Sequence, residues 1–133
     1  MKLALSLSIL LLSLHSFAQD NTKIAPAPKF DIDNAYPGGK QAWFKFLAKN
    51  FKYPDEAVNN EVQGTVNVQF VVDTAGNISD IKAISGPKKG GLREDAVRVI
   101  SLSGQWIPVT VNGQKVKAYR VVPLTYKLEV SKL

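Results

Sequence analysis

A chain of 133 residues, 45% hydrophobic and 21% charged, suits one globular domain with a modest core, which excludes a disordered chain and a string of domains alike. Its formal charge of +6 and pI of about 9.6 favour an anionic neighbour such as lipid, wall polymer or nucleic acid. With no cysteine and one histidine, His15, disulfide staples and cysteine nucleophiles are excluded, and any imidazole chemistry depends on residue 15.

The chain opens with Met1-Lys2 and the apolar run Leu3 to Leu14, followed by Ser16-Phe17-Ala18, small residues where a signal peptidase reads. A cleaved secretory signal is therefore expected over residues 1–18, and with it a periplasmic location. As a helix these twelve residues, Leu3 to Leu14, would reach about 18 Å against a hydrocarbon core of roughly 30 Å. The alternative is an inner-membrane anchor with the rest of the chain facing the periplasm. Cleavage removes Lys2 and His15, which leaves neither thiol nor imidazole and excludes Ser-His-Asp triads and the usual zinc ligand sets. Export also removes nucleic acid as a partner.

Gln19 to Ala35 is polar, contains Ala-Pro-Ala-Pro and lacks a sustained apolar period, so it is expected to be a short tether of about 55 Å at full extension. The domain proper is expected over 36–133. Pro37-Gly38-Gly39 opens a helical pattern in which Trp43, Phe46, Leu47 and Phe51 share one face and Lys45, Lys49 and Lys52 another. Tyr53-Pro54 should end that helix, with Pro54 starting a short turn over "PDEAVNN".

From Val62 the period changes to two. Val62, Val66, Val68, Phe70 and Val72 alternate with Thr65, Asn67 and Gln69, which predicts a strand with one buried face. "DTAGN" supplies a turn, and "ISDIKAIS" returns as the second strand of a hairpin. After "GPKKGG", residues Leu92, Ala96, Val99 and Ile100 mark a second helix with Glu94 and Asp95 near its positive end and Gly104 as its stop. Trp106-Ile107-Pro108 leads to a turn at Asn112-Gly113. The last strand sets Val116, Ala118, Val122, Leu124, Tyr126 and Leu128 on one face. The sum is an α+β fold: a small antiparallel three-stranded sheet, hairpin plus C-terminal edge strand, with two helices on one face.

Taken in order, "PGG" before an aromatic helix, "KYPDEA", "VQGTVNVQFVVDTAGNISDIK", a second helix, "WIP" and "NG" before a final strand resemble the C-terminal domain of TonB-family proteins. The similarity runs from about Tyr36 to Leu128; its most specific part is Tyr53-Pro54-x-x-Ala57 followed by Gly64, alternating valines and D-x-x-G. The resemblance implies a periplasmic module that docks on outer-membrane transporters, taking their extended peptide, the TonB box, as a strand added to its last strand. It also implies inner-membrane partners of the ExbB/ExbD type, which act through an N-terminal transmembrane helix and so depend on a retained N-terminus. Here a signal sequence is expected where that helix would be, and the residue before Tyr-Pro, a transporter-contacting glutamine in the best-studied members, is Lys52. Lys52, Tyr53 and Pro54 are thus the positions carried over as partner contacts.

Pro123 says more about the last strand. Amide and carbonyl of one residue point to the same side of a strand and those of the next residue to the other side, so a proline with no amide belongs where it faces an empty edge. Tyr119, Val121, Thr125 and Lys127 share its orientation and are the expected partner-strand residues, their side chains opposite the apolar face. Proline and lysine on an edge also serve as protection against unwanted pairing, with no ligand intended.

Other features have ordinary explanations beside functional ones. "GPKKGGLR" has the glycine spacing of a phosphate loop, but Leu92-Arg93 stands where Lys-Ser/Thr is required, so a plain loop is expected. Trp43 and Trp106 are expected in the core rather than as ligand-stacking groups. Tyr53 can either pack or offer its hydroxyl beside the docking strand. Asp55-Glu56 and Glu94-Asp95 suit helix starts, and no acid/base pair points to an enzyme, a metal or a cofactor. Two readings follow: a strand-adding binding module, or an envelope-associated structural protein that uses its basic face on anionic lipid or wall polymer. Two exposed sheet edges could also pair copies into a homodimer.

Overall fold

The computed structural model describes residues 23–129. The expected signal sequence and the first residues of the expected tether lie outside them.

A turn of helix, α1 (Ile32–Ala35), precedes α2 (Gly39–Asn50) and the short α3 (Asp55–Asn59); β1 (Gly64–Val72) and β2 (Ile78–Ser85) follow. The chain then forms α4 (Leu92–Ser101), a ribbon of β3 (Val109–Val111) and β4 (Gln114–Val116), and finally β5 (Ala118–Tyr126). β2, β1 and β5 make one antiparallel sheet in that order, with β1 in the centre. The two-period pattern accounts for this: Val66, Val68, Phe70 and Val72 of β1 are fully buried, and Val122, Leu124 and Tyr126 of β5 lie beside them on the same face. Helix α4 closes that face with Leu92, Ala96, Val99 and Ile100.

At the other end of the core Trp106 meets Trp43, Tyr36 and Phe70 at ring-centroid distances of 5.3, 4.9 and 5.0 Å. Its indole N–H donates to Ser103 Oγ at 2.8 Å, so the polar edge of this large ring is satisfied inside the core. Both tryptophans are buried, as their apolar surroundings predict.

The β1–β2 turn is set by Asp73, whose carboxylate accepts from the amides of Ala75 and Asn77 at 2.9 Å each. Gly76 has φ +89° and its carbonyl takes the amide of Trp106 at 2.9 Å; a Cβ there would run into the Trp106 carbonyl, so this turn also fixes the core tryptophan.

Several boundaries differ from expectation. Helix α2 stops at Asn50, and Phe51 is already extended, three residues ahead of Pro54. Pro54, expected to start a short turn, does so as the N-cap of α3. β1 begins at Gly64, because the Val62 amide is still bonded to the Ala57 carbonyl as the exit of α3. Asn112-Gly113, both at positive φ, closes the separate β3–β4 ribbon, which the period-two pattern of so few residues does not announce. The segment expected as a tether is docked in its described part: Ala35 is fully buried with its carbonyl on the Ile107 amide at 2.9 Å, and Ala25 bridges to β5.

Candidate functional site: the outer edge of the last strand

β5 pairs with β1 along its full length, from Gly64 opposite Tyr126 to Val72 opposite Ala118, with no slip in register. The opposite edge of the sheet is different. β2 meets β1 with two irregularities in register, and Asp80 within it has φ +51°. Bulges of this kind bend an edge and blunt it against further pairing. The sheet therefore has one crooked edge and one straight one.

Along β5 the even residues Ala118, Arg120, Val122, Leu124 and Tyr126 are buried, while Tyr119 and Val121 are half-buried and Pro123 and Thr125 exposed. The orientation of the backbone is fixed at two points. The Tyr119 amide donates at 2.9 Å to the carbonyl of Ala25, on the side away from β1, and the Ala25 amide donates at 2.9 Å to the carbonyl of Lys117. At the other end the Leu128 amide reaches Gln63 Oε1 at 2.8 Å, on the β1 side. By alternation, Val121, Pro123 and Thr125 direct their backbone groups outward with Tyr119. Pro123, opposite Asn67, thus interrupts no ladder bond. Thr125 and Thr65 share a hydroxyl hydrogen bond at 2.9 Å across the exposed face. Lys127 is exposed and lies one residue beyond the end of β5.

The three positions before α3 fall near the end of this strand. Lys52 is exposed, and Pro54 is half-buried at the α3 N-cap, facing Gly91. Tyr53 packs edge-on against Tyr126 at 5.7 Å, and its hydroxyl donates to the Val62 carbonyl. Of the two roles open to Tyr53, packing is the one seen. Desolvation raises its pKa in keeping with that.

Two side chains that position β5 were not singled out from the sequence. Asp95, assigned there only to the helix dipole, is buried and accepts from the Tyr126 hydroxyl at 2.8 Å and from Arg98 at 2.7 Å. Arg98 also donates to the Asn50 carbonyl at 2.7 Å, tying the end of α2 to α4 and the last residue of β5. Burial, and then the bond to Asp95, push the Tyr126 phenol far above its ordinary range. Helical spacing carried the signal, since Asp95 stands on the apolar face with Leu92, Ala96 and Val99. The other is Arg120, an even-numbered residue of β5 and therefore inward-facing; it donates twice to the Ile107 carbonyl, at 2.8 and 3.2 Å, and holds the Trp106–Pro108 run on the sheet.

The phosphate-loop-like segment has a structural role. Arg93 donates to the Gly86 carbonyl at 2.6 and 3.0 Å, and Gly90 packs where a Cβ would crowd Ala57 and Val62. Lys45, Lys49 and Lys52 are all exposed. No helix among the described residues is long and apolar enough to cross a membrane.

Comparison with known proteins agrees with this architecture. The sequence profile of the Gram-negative bacterial TonB protein C-terminal family matches residues 49–128, more than half of the chain. Among solved structures, the Helicobacter pylori TonB C-terminal domain in solution (its residues 179–285) is similar at a TM-score of 0.52 and 22% identity, over 67% of this chain and 78% of that one. A shorter form of the same domain (residues 194–285) gives 0.51 and 19%, over 68% of this chain and 95% of that one. No curated protein matches.

Proposed function

The chain belongs to the TonB C-terminal domain family, and from that premise we propose that it is a periplasmic docking module which adds the extended peptide of an outer-membrane TonB-dependent transporter to the outer edge of β5. The observation that carries this reading is the asymmetry of the sheet: a straight nine-residue strand whose outer side, among the described residues, is met only at its upstream end by Ala25, opposite a bulged edge. A partner strand would meet outward amides at Val121 and Thr125 and outward carbonyls at Val121, Pro123 and Thr125, with Lys127 beside the end of the ladder. Side chains of Tyr119, Pro123 and Thr125 would form the floor under alternate partner residues. Lys52, Tyr53 and Pro54 stand at the strand's end, where Lys52 offers an exposed ammonium to a partner carboxylate and Tyr53 acts through packing.

Four or five ladder bonds at about 1 kcal/mol net each, less the cost of ordering a peptide, correspond to binding in the micromolar range or weaker. Such binding suits a transient contact. Coupling to an ExbB/ExbD-type complex belongs to this reading only with a retained N-terminal anchor. In the test, a synthetic peptide copying a transporter's TonB box is titrated into the isotope-labelled protein. Amide shifts should concentrate from Tyr119 to Lys127; shifts confined to β2, or none at any tested box, would overturn the proposal.

A further inference from the structure

The edge of β5 has an occupant already. Ala25 sits against its upstream end as a one-residue parallel bridge, accepting from the Tyr119 amide and donating to the Lys117 carbonyl, both at 2.9 Å. Resting on the docking function proposed above, we infer that residues 23–26 are a self-strand that competes with the partner for this edge, so that seating of the N-terminal segment and full-length docking exclude each other.

Geometry supplies the conflict. An added strand lies about 4.8 Å from β5 in the plane of the sheet, and beside Lys117–Tyr119 that lane holds Ala25. With Ala25 seated, the outward amides of β5 left to a partner are those of Val121 and Thr125, since Pro123 has none; unseating it adds Tyr119 and lengthens the ladder upstream. The seat is also built not to propagate. Ala25 directs its backbone toward β5, so Ile24 and Pro26 direct theirs outward, and Pro26 has no amide to offer a further strand. The segment then leaves the edge and is caught again at Asp31, which caps α1. Among the described residues two backbone bonds hold the seat, few enough for a partner to displace it. Its release would free the six residues between Ala25 and α1 as roughly 20 Å of added tether, which couples docking at the sheet to reach upstream.

Ala25→Pro in the full chain tests this, because the proline ring takes the place of the amide hydrogen and pushes against the Lys117 carbonyl. Hydrogen exchange comes first. In the unmodified protein the Tyr119 amide should exchange at least about ten-fold more slowly than those of Val121 and Thr125, and in Ala25→Pro it should join them, with β1 amides unchanged. The TonB-box peptide should then bind Ala25→Pro about five- to thirty-fold more tightly, the fold-change expected from one or two released bonds at about 1 kcal/mol each. Equal exchange at Tyr119 in the two proteins, or equal peptide affinity, overturns the inference. If exchange changes as expected but no box peptide binds either protein, the self-strand stands and its role as a competitor falls together with the docking reading; binding to both with equal affinity removes the competition alone.

Discussion

Replacing Val121 with proline tests the orientation of β5 and the docking proposal together. Val121 lies opposite Gln69, and the direction of the neighbouring odd residue, whose Tyr119 amide leaves the sheet for Ala25, places the Val121 amide on the outer side. The substitution should therefore leave the β1–β5 ladder intact, because a proline whose missing amide faces the outer edge removes no ladder donor. Removing this amide deletes one of the two donors that remain to a partner while Ala25 is seated. At about 1 kcal/mol net per bond, the TonB-box peptide should bind about five-fold more weakly, measured by titration calorimetry or amide shifts. Val121→Thr, which keeps the amide, should bind as the unmodified protein does. The mirror substitution, Val122→Pro, removes a bond from the centre of the nine-residue ladder and should unfold the domain or destabilise it severely. Two results would refute the reasoning: Val121→Pro unfolding like Val122→Pro, which would mean an inward amide, or Val121→Pro folded and binding with undiminished affinity.

Three further outcomes are expected. Tyr126→Phe leaves a buried carboxylate oxygen of Asp95 without its 2.8 Å donor and should cost about 1–3 kcal/mol in urea unfolding; an unchanged midpoint would show that the Asp95 bond does not anchor β5. The amides of Asn77 and Ala75 hold the Asp73 carboxyl below its ordinary value of 3.8, so its stabilising effect is present above that pH and is lost as pH falls through the lower folded value. Thermal melts from pH 5 to pH 2 should show a smaller acid-induced drop for Asp73→Asn than for the unmodified chain. Strand addition should vary little between 0.1 and 1 M salt, whereas attraction of Lys45, Lys49 and Lys52 to anionic vesicles should fade as the Debye length shortens from about 10 to 3 Å; the response in co-sedimentation and peptide titration separates the two uses of the surface.

What could be read in the sequence was what a period or a backbone rule encodes locally. Val66 to Val72 alternate because one face of β1 is buried, and Pro123 lies on an edge strand because an interior position would cost a ladder bond. Features decided by residues far apart in the chain were out of reach. The α2 terminus depends on Phe51 stacking on Tyr126 at 4.7 Å, a contact across 75 positions that no local window contains. Asp95 looks like any acid in a first helical turn until Tyr126 and Arg98 converge on it. The segment before Tyr36 reads as a tether because its prolines break every period, yet two of its backbone groups find partners on Lys117 and Tyr119 and a third on Ile107. Polar composition gives no warning that a carbonyl will be used.

The same contacts bear on how the edge could carry load. A strand added to β5 would transmit tension along its own axis, so the inner ladder to β1 would be sheared along its whole length rather than peeled one bond at a time. Uninterrupted register favours that mode, because all the ladder bonds resist together. A ladder in shear fails first where its end frays, and the downstream end of β5 is where the fold has placed Tyr126 under Phe51 and Tyr53, bonded to Asp95 and through Arg98 to the end of α2. The upstream end has the neighbouring Arg120 clamp on Ile107. β2 is also fastened, by Arg93 on the Gly86 carbonyl just past its end and by Asn67 on Ser85, but it lacks the straight register. The edge proposed for docking is thus also the one with an unbroken ladder and fastened ends, which an edge kept only for protection has no physical need to have.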